Sequence, residues 1–360
     1  MGAWWDRWLR GIDNRVDSGL SDDSPAMTCF VRSSTRPSAV LDTADGQWIR
    51  EQWPSPRISK RVLDVASRPP YPVRPDVGVD AWIDCAGHLP WGQSSDQRSD
   101  DAASLTWDWN AESLVLLGHP SVVLQVSVDA PAAYLSAKLC DVFEDGTSTL
   151  VCRGTRNLGL NDDLTAPRAL VPGRVYEVAL ELDACAYRFA PGQRLRLAIA
   201  GSDWPNTAAP PRPATLTVHG GRLELPTWQD PSPYQGPSLP AGSESSEDPA
   251  GVTWRIERDV LNNCTACVVD HGSRYPGPYD SETSEHYFGR VSIDLDTFEQ
   301  RAQASTTFVI RWPETHVSVR STMDLRATGD AYDVIVDLVA REGTNVVGRR
   351  RWQRRFDRLG

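Results

Sequence analysis

Cys264 and Cys267 stand in a C-x-x-C spacing, with His271 and His286 downstream. Four nitrogen and sulfur donors close a tetrahedral zinc site when a fold brings them together around one ion. Here the second pair is widely spaced and no second C-x-x-C occurs. Cys264 and Cys267 differ by three positions, which puts them on opposite faces of a strand unless the chain bends. Buried or idle thiols are the competing reading, and no metal or cofactor is expected. Acyl-transfer chemistry would need a serine on a strand-to-helix elbow, G-x-S-x-G, with an aspartate and a histidine supplied elsewhere. The nearest string, Gly92-Gln93-Ser94-Ser95-Asp96, lacks the second glycine and lies in a loop-like stretch. The histidines His88, His119, His219, His271, His286 and His316 fall in loops or strand patterns and mark no such site. No catalytic residue is therefore assigned.

Three further groups invite a binding role. Trp107, Trp109 and Trp204, with Tyr234, stand at or near the ends of strand patterns, where aromatic rings can stack on a sugar. The alternative is that Trp107 and Trp109, two apart, share one inward face as core. Arg349, Arg350, Arg351, Arg354 and Arg355 surround Trp352. They suit an anion or nucleic-acid patch, or else a solvated edge strand neutralised by nearby Asp and Glu. The net charge of -11 favours the second reading and excludes nucleic acid as a partner, because phosphate binding needs dominant clustered positive charge. Asp294 with Asp296, and Asp162 with Asp163, lack a calcium-loop pattern and read as solvated carboxylates.

The elements that would position these groups are strands. Val122, Leu124, Val126 and Val128 alternate with polar neighbours. After Ala130-Pro131, Leu135, Ala137 and Leu139 do the same against Ser136 and Lys138. Such alternation gives half-buried strands, so the centre is expected to be an antiparallel sheet with one wet face. Similar patterns at 174–183 and 193–200 are separated by Pro172-Gly173 and Pro191-Gly192 turns. Short strands punctuated by turns, with no long helix, predict an all-β antiparallel sandwich. From Pro231 to Gly251 the chain turns to Pro, Ser, Gly, Glu and Asp, the composition of a linker. Seven further strand candidates follow, forming a second, smaller antiparallel β unit large enough for a core of its own.

The chain opens with MGAWWDRWLRG, read as a short helix over residues 1–12. Trp4, Trp5, Trp8 and Ile12 gather on one apolar face. That face either folds onto the chain's own sandwich or serves as a docking surface for a partner. The stretch has no apolar core or cleavage site of a signal peptide, and no run is long enough to span a membrane, so a soluble cytoplasmic chain with no membrane partner is expected. Seven scattered cysteines are unlike a secreted disulfide framework and agree with that compartment.

One run of phrases carries a family resemblance: "LGHPSVVLQVSVDAPAAYLSAKLCDVFEDGTSTLVCRGTRNLG", then "VPGRVYEVALELDACAYRFAPGQRLRLAIAGSDWP". It resembles the C-terminal β-jelly-roll of the X-Pro dipeptidyl-peptidase and CocE/NonD serine hydrolases over roughly residues 26–225. The resemblance implies a galactose-binding-like jelly roll over 26–230, with a linker at 231–251 and a second β domain at 252–360. It makes residues 1–25 the last helix of an α/β-hydrolase domain plus a connector. In the family the catalytic triad precedes that helix, so none of its residues carries over onto this chain. The implied role is structural or substrate-gating, beside a separate α/β-hydrolase domain or with self-association. A free-standing carbohydrate-binding module and a non-functional remnant of a split hydrolase gene are the alternatives.

Overall fold

The computed structural model describes residues 2–15, 27–38, 43–81, 94–112, 114–161, 163–229, 236 and 252–358. Helix α1 (Gly2–Arg10) comes first, followed by β1 (Met27–Ser33), β2 (Gly46–Glu51), β3 (Ile58–Val65) and β4 (Tyr71–Pro72). The one-turn α2 (Arg98–Ala102) precedes β5 (Leu105–Asn110), β6 (Val115–Gly118), β7 (Ser121–Val128), β8 (Tyr134–Val142) and β9 (Ser148–Asn157). Then come β10 (Tyr176–Glu181), β11 (Cys185–Arg188), β12 (Arg194–Ala200) and β13 (Thr215–Trp228).

These strands make a two-layer sandwich. One layer runs β10-β7-β13-β6-β11-β1-β2, with β3 and β4 also on β13, and the other runs β5-β12-β8-β9. Pairing is antiparallel except between β1 and β11. Alternation decides what faces inward: Val122, Leu124, Val126 and Val128 of β7 meet Leu135, Ala137 and Leu139 of β8 and Leu195, Leu197 and Ile199 of β12 in one buried cluster. Each such large side chain contributes about 1.5–3 kcal/mol on burial. Strand β13 serves several partners by bending at an irregularity between Val218 and Gly220, where Gly220 has a φ of +141°.

The expected wet face holds for β7, whose Ser121, Gln125 and Ser127 are only partly buried, and fails for β8. Ser136 and Lys138 are buried to 3% and 1% exposure. The segment that leads into and through α2 lies over that face and supplies polar partners to it, which periodicity within one strand cannot reveal.

The remaining strands are β14 (Val252–Asp259), β15 (Cys264–Pro276), β16 (Glu282–Asp294), β17 (Gln300–Arg311), β18 (His316–Ala327), β19 (Ala331–Glu342) and β20 (Asn345–Asp357). They form one sheet in chain order. Register places Trp254, Val269, Gly289, Ala304, Met323, Val336 and Trp352 in a single row on one face. The other face is laced with ion pairs such as Arg301–Asp324 at 2.6 Å and Arg355–Asp333 at 2.8 Å. A single sheet cannot enclose a core, and this one shares one with the sandwich: Val79, Trp204 and Ala209 pack against Cys267 and Ile293. Phe298 likewise enters the main cluster of the sandwich. The expected linker 231–251 lies outside the described residues apart from Gly236.

Candidate functional site

Helix α1 holds the rings named as a docking face. Trp4, Trp5 and Trp8 are 42%, 54% and 55% exposed, and Ile12 just beyond the helix is 41% exposed. Trp4 and Trp8, four apart, meet with ring centroids 5.6 Å apart and planes tilted by 56°. Arg10 pairs with Asp6 at 2.7 Å, and the Arg7 guanidinium lies 6.0 Å from the Trp8 ring. Local sequence therefore makes the helix and gathers its indoles, and the rings keep about half their surface in water.

The three rings named as a stacking platform do not share an open surface. Trp107 is 6% exposed, donates its indole N–H to the Ala66 carbonyl at 2.9 Å and lies under the Arg68 guanidinium. Trp109 packs, partly buried, against the main core. Trp204 is 1% exposed, inside the cluster shared by the two β units. Tyr234 falls outside the described residues.

The donors of the zinc reading do not converge. Cys267 and His271 lie on one face of β15 and His286 on the opposite face of β16, beside Cys264's side of the sheet. Cys264 pairs with Asp294 and His286 with Gly272, so those two are separated by most of the sheet's length. At ~3.3 Å per residue that distance is far beyond a shared coordination sphere. Cys267 is buried, and burial pushes its thiol up to about 11. Asp294 instead closes a turn, its Oδ1 accepting from the Asp296 and Thr297 amides. Asp163 accepts from the Thr165 amide and hydroxyl, while Asp162 is outside the described residues. In the arginine run, Arg351 and Arg355 pair with Asp337 and Asp333 of the neighbouring strand, and Arg350 stacks on Trp352.

Two histidine contacts bear on nucleophile chemistry. Ser127 Oγ lies 2.8 Å from His219 Nε2 on an exposed sheet face, and His286 Nε2 lies 2.8 Å from Asp270 Oδ1 on the other sheet. Among the described residues neither pair gains the missing third member, and Ser127 sits mid-strand rather than on an elbow.

Sequence reasoning missed a buried polar clasp. Lys138 Nζ donates to Asp100 Oδ2 at 2.8 Å and to Gln97 Oε1 at 2.9 Å. Arg153 lies 3.4 Å from Asp203, and Arg196 bridges Asp101 at 3.0 Å and Asp108 at 2.7 Å. Burial alone would lower the Lys138 pKa, and the adjacent Asp100 carboxylate reverses this and raises it. Burial pushes the Asp101 and Asp203 carboxyls up and drives Asp80 up to about 6, with Asp100 adding repulsion. The available signal was Lys138 itself, one of only two lysines, set in an alternating strand. Enclosed as it is, the clasp joins residues 78–81 and 97–101 to β8, β9 and β12 and offers no open site among the described residues.

Among the described residues no nucleophile, base and third partner come together, and comparison with known proteins gives the family. A cocaine esterase of Rhodococcus is 30% identical over 115 residues, covering 31% of this chain and 20% of that protein. A Streptomyces avermitilis protein provisionally named an Xaa-Pro dipeptidyl-peptidase is 23% identical over 278 residues, 61% of this chain and 37% of the relative. The chain thus spans well under half the length of the curated relatives it matches. A Staphylococcus aureus CocE/NonD family hydrolase aligns over 63% of this chain and 45% of its own, at 13% identity and a TM-score of 0.43. Residues 31–237 match the family described as the X-Pro dipeptidyl-peptidase C-terminal non-catalytic domain, and the chain belongs to that family.

Proposed function

We propose that this chain braces a separate α/β-hydrolase domain and walls part of its substrate entrance, docking through the indole face of α1. The observation that carries the reading is three tryptophans, each about half exposed, on one nine-residue helix. Indole side chains of this exposure leave on the order of 350 Å² of apolar surface open, roughly 9 kcal/mol of gross burial energy at ~25 cal/mol per Å². Much of that offsets the lost freedom of association, and the remainder suffices for a specific contact. The carbohydrate-module reading asks for open ring faces, and Trp107 and Trp204 are buried. The hydrolase partner would supply the family's serine chemistry on X-Pro peptides or esters. A galactose-binding-like fold of the sandwich belongs to the same reading. A cytoplasmic setting is supported by cysteines left as thiols, among them Cys140, Cys152 and Cys267. Also, no described helix is long and apolar enough to cross a membrane.

The test is Trp4→Ser with Trp8→Ser in the isolated chain. The wild type should self-associate or bind a hydrophobic dye, and the variant should do neither while melting within about 2 °C of it. A monodisperse wild type whose variant loses thermal stability would show that the rings pack onto their own sandwich.

A further inference from the structure

We propose that the seam between the two β units is a binding pocket for a small dianion, carrying either two carboxylates or a phosphate. A cavity of about 290 Å³ opens there, lined from the sandwich by Pro131, Asn157, Arg168 and Arg212 and from the seven-stranded sheet by Asp330 and Arg358. At about 30 Å³ for a liquid water, that volume holds a ligand of some ten heavy atoms.

The charges of the lining do not balance. Three guanidinium groups meet one carboxylate, and that one is already taken by Arg212 at 2.5 Å. Arg168 and Arg358 make no ion pair within 4 Å among the described residues, and the Asp163 carboxylate acts on Arg168 only from farther away. Arg358 is only 6% exposed. It donates to the Thr328 carbonyl at 3.1 Å and to the Ala209 carbonyl, and it stacks 5.3 Å from the Tyr332 ring. Its Nε is buried without a hydrogen-bond partner among the described residues. Carbonyls and a ring satisfy N–H groups without cancelling a charge, and buried charges in proteins are otherwise paired. An anionic ligand in the pocket would bring the opposite charge to these guanidinium groups.

The surroundings favour the same class of ligand. The chain carries a net charge of -11, so a locally positive pocket stands out as a focus for anions. Guanidinium forks match carboxylate and phosphate oxygens in pairs, and Arg358 is held in place by both units before any ligand arrives. The Arg212 guanidinium lies across Gly329, about 3.1 Å from where a Cβ would stand, which brings it to the pocket wall. Because Arg212 and Arg168 come from the sandwich and Arg358 from the last strand's end, a bound dianion would also tie the units together.

Calorimetric titration of the full chain with inorganic phosphate, and separately with succinate, tests this at an ionic strength fixed by sodium chloride. One saturable site is expected for at least one probe, with a rise in melting temperature at saturation. Saturation by phosphate alone assigns a phosphate-bearing ligand, and saturation by succinate alone assigns a dicarboxylate. Arg168→Gln with Arg212→Gln should weaken binding at least tenfold. Both side chains are exposed, so the variant is expected to fold, which circular dichroism checks. Arg320→Gln with Arg349→Gln, exposed arginines elsewhere, should leave affinity unchanged. No saturable heat with either probe, undiminished binding in the pocket variant, or equal loss in the control would overturn the proposal.

Discussion

Replacing Lys138 by Met isolates the contribution of the buried ion pair beneath the α2 segment. The Lys138 and Asp100 side chains are 2% and 3% exposed and meet at 2.8 Å. Met nearly preserves the volume of Lys, so the change removes charge and hydrogen bonds rather than opening a cavity. Asp100 would keep only the Gly78 N–H, at 3.1 Å, and Gln97 Oε1 would lose its ammonium donor. Breaking one side of a buried pair costs about 3–5 kcal/mol. At about 2–4 °C per kcal/mol for a unit of this size, scanning calorimetry should show the sandwich transition falling by about 10 °C. Adding Asp100→Asn to Lys138→Met neutralises the stranded carboxylate and should return at least about 1 kcal/mol. Asp100→Asn alone should remain costly, because it strands the ammonium instead. A Lys138→Met protein melting within about 2 °C of wild type, or a double variant no better than the single, would refute the reasoning.

Other expectations follow from the same structure. Burial, with repulsion from Asp100, raises the Asp80 carboxyl to about 6, and its Oδ2 is buried without a hydrogen-bond partner. Stability from its neutral form is therefore complete below about pH 4 and lost as pH rises through about 6. Asp80→Asn should add about 1 kcal/mol at pH 7.5, after allowance for solvent screening, and change little at pH 4 in melting curves. At Gly221 a Cβ would stand 2.2 Å from the Val123 carbonyl oxygen, so Gly221→Ala should destabilise the sandwich by about 1–3 kcal/mol in the same assay. Limited proteolysis should cut first within the Pro/Ser/Gly-rich 231–251 stretch and leave a C-terminal piece beginning near residue 250. The isolated chain should neither label with a fluorophosphonate probe nor turn over p-nitrophenyl esters, and turnover abolished by mutating one serine would contradict that.

The sheets were the legible part of this sequence because a pleated backbone writes its faces every second residue. Val122 to Val128 announced both their strand and its inward side, and all seven strands of the second unit were visible as segments. Contacts between distant segments were not legible. Lys138 looked solvent-facing because its partners, Gln97 and Asp100, come from a stretch read as loop. Trp204 looked like a surface aromatic because the sheet that covers it begins some fifty residues later, at Val252. The same limit hid the seam pocket: Arg168, Arg212 and Arg358 share no local pattern and meet only when the two units dock. The indole face of α1 was readable because helical spacing alone assembles it.

The docking role is tested most directly by sedimentation velocity of the chain mixed with the isolated α/β-hydrolase domain of a CocE/NonD relative. A one-to-one complex is predicted with the wild-type chain and not with Trp4→Ser, Trp8→Ser. A complex formed equally by both proteins, or by neither while the wild type alone stays monomeric and free of hydrophobic dye, would contradict it.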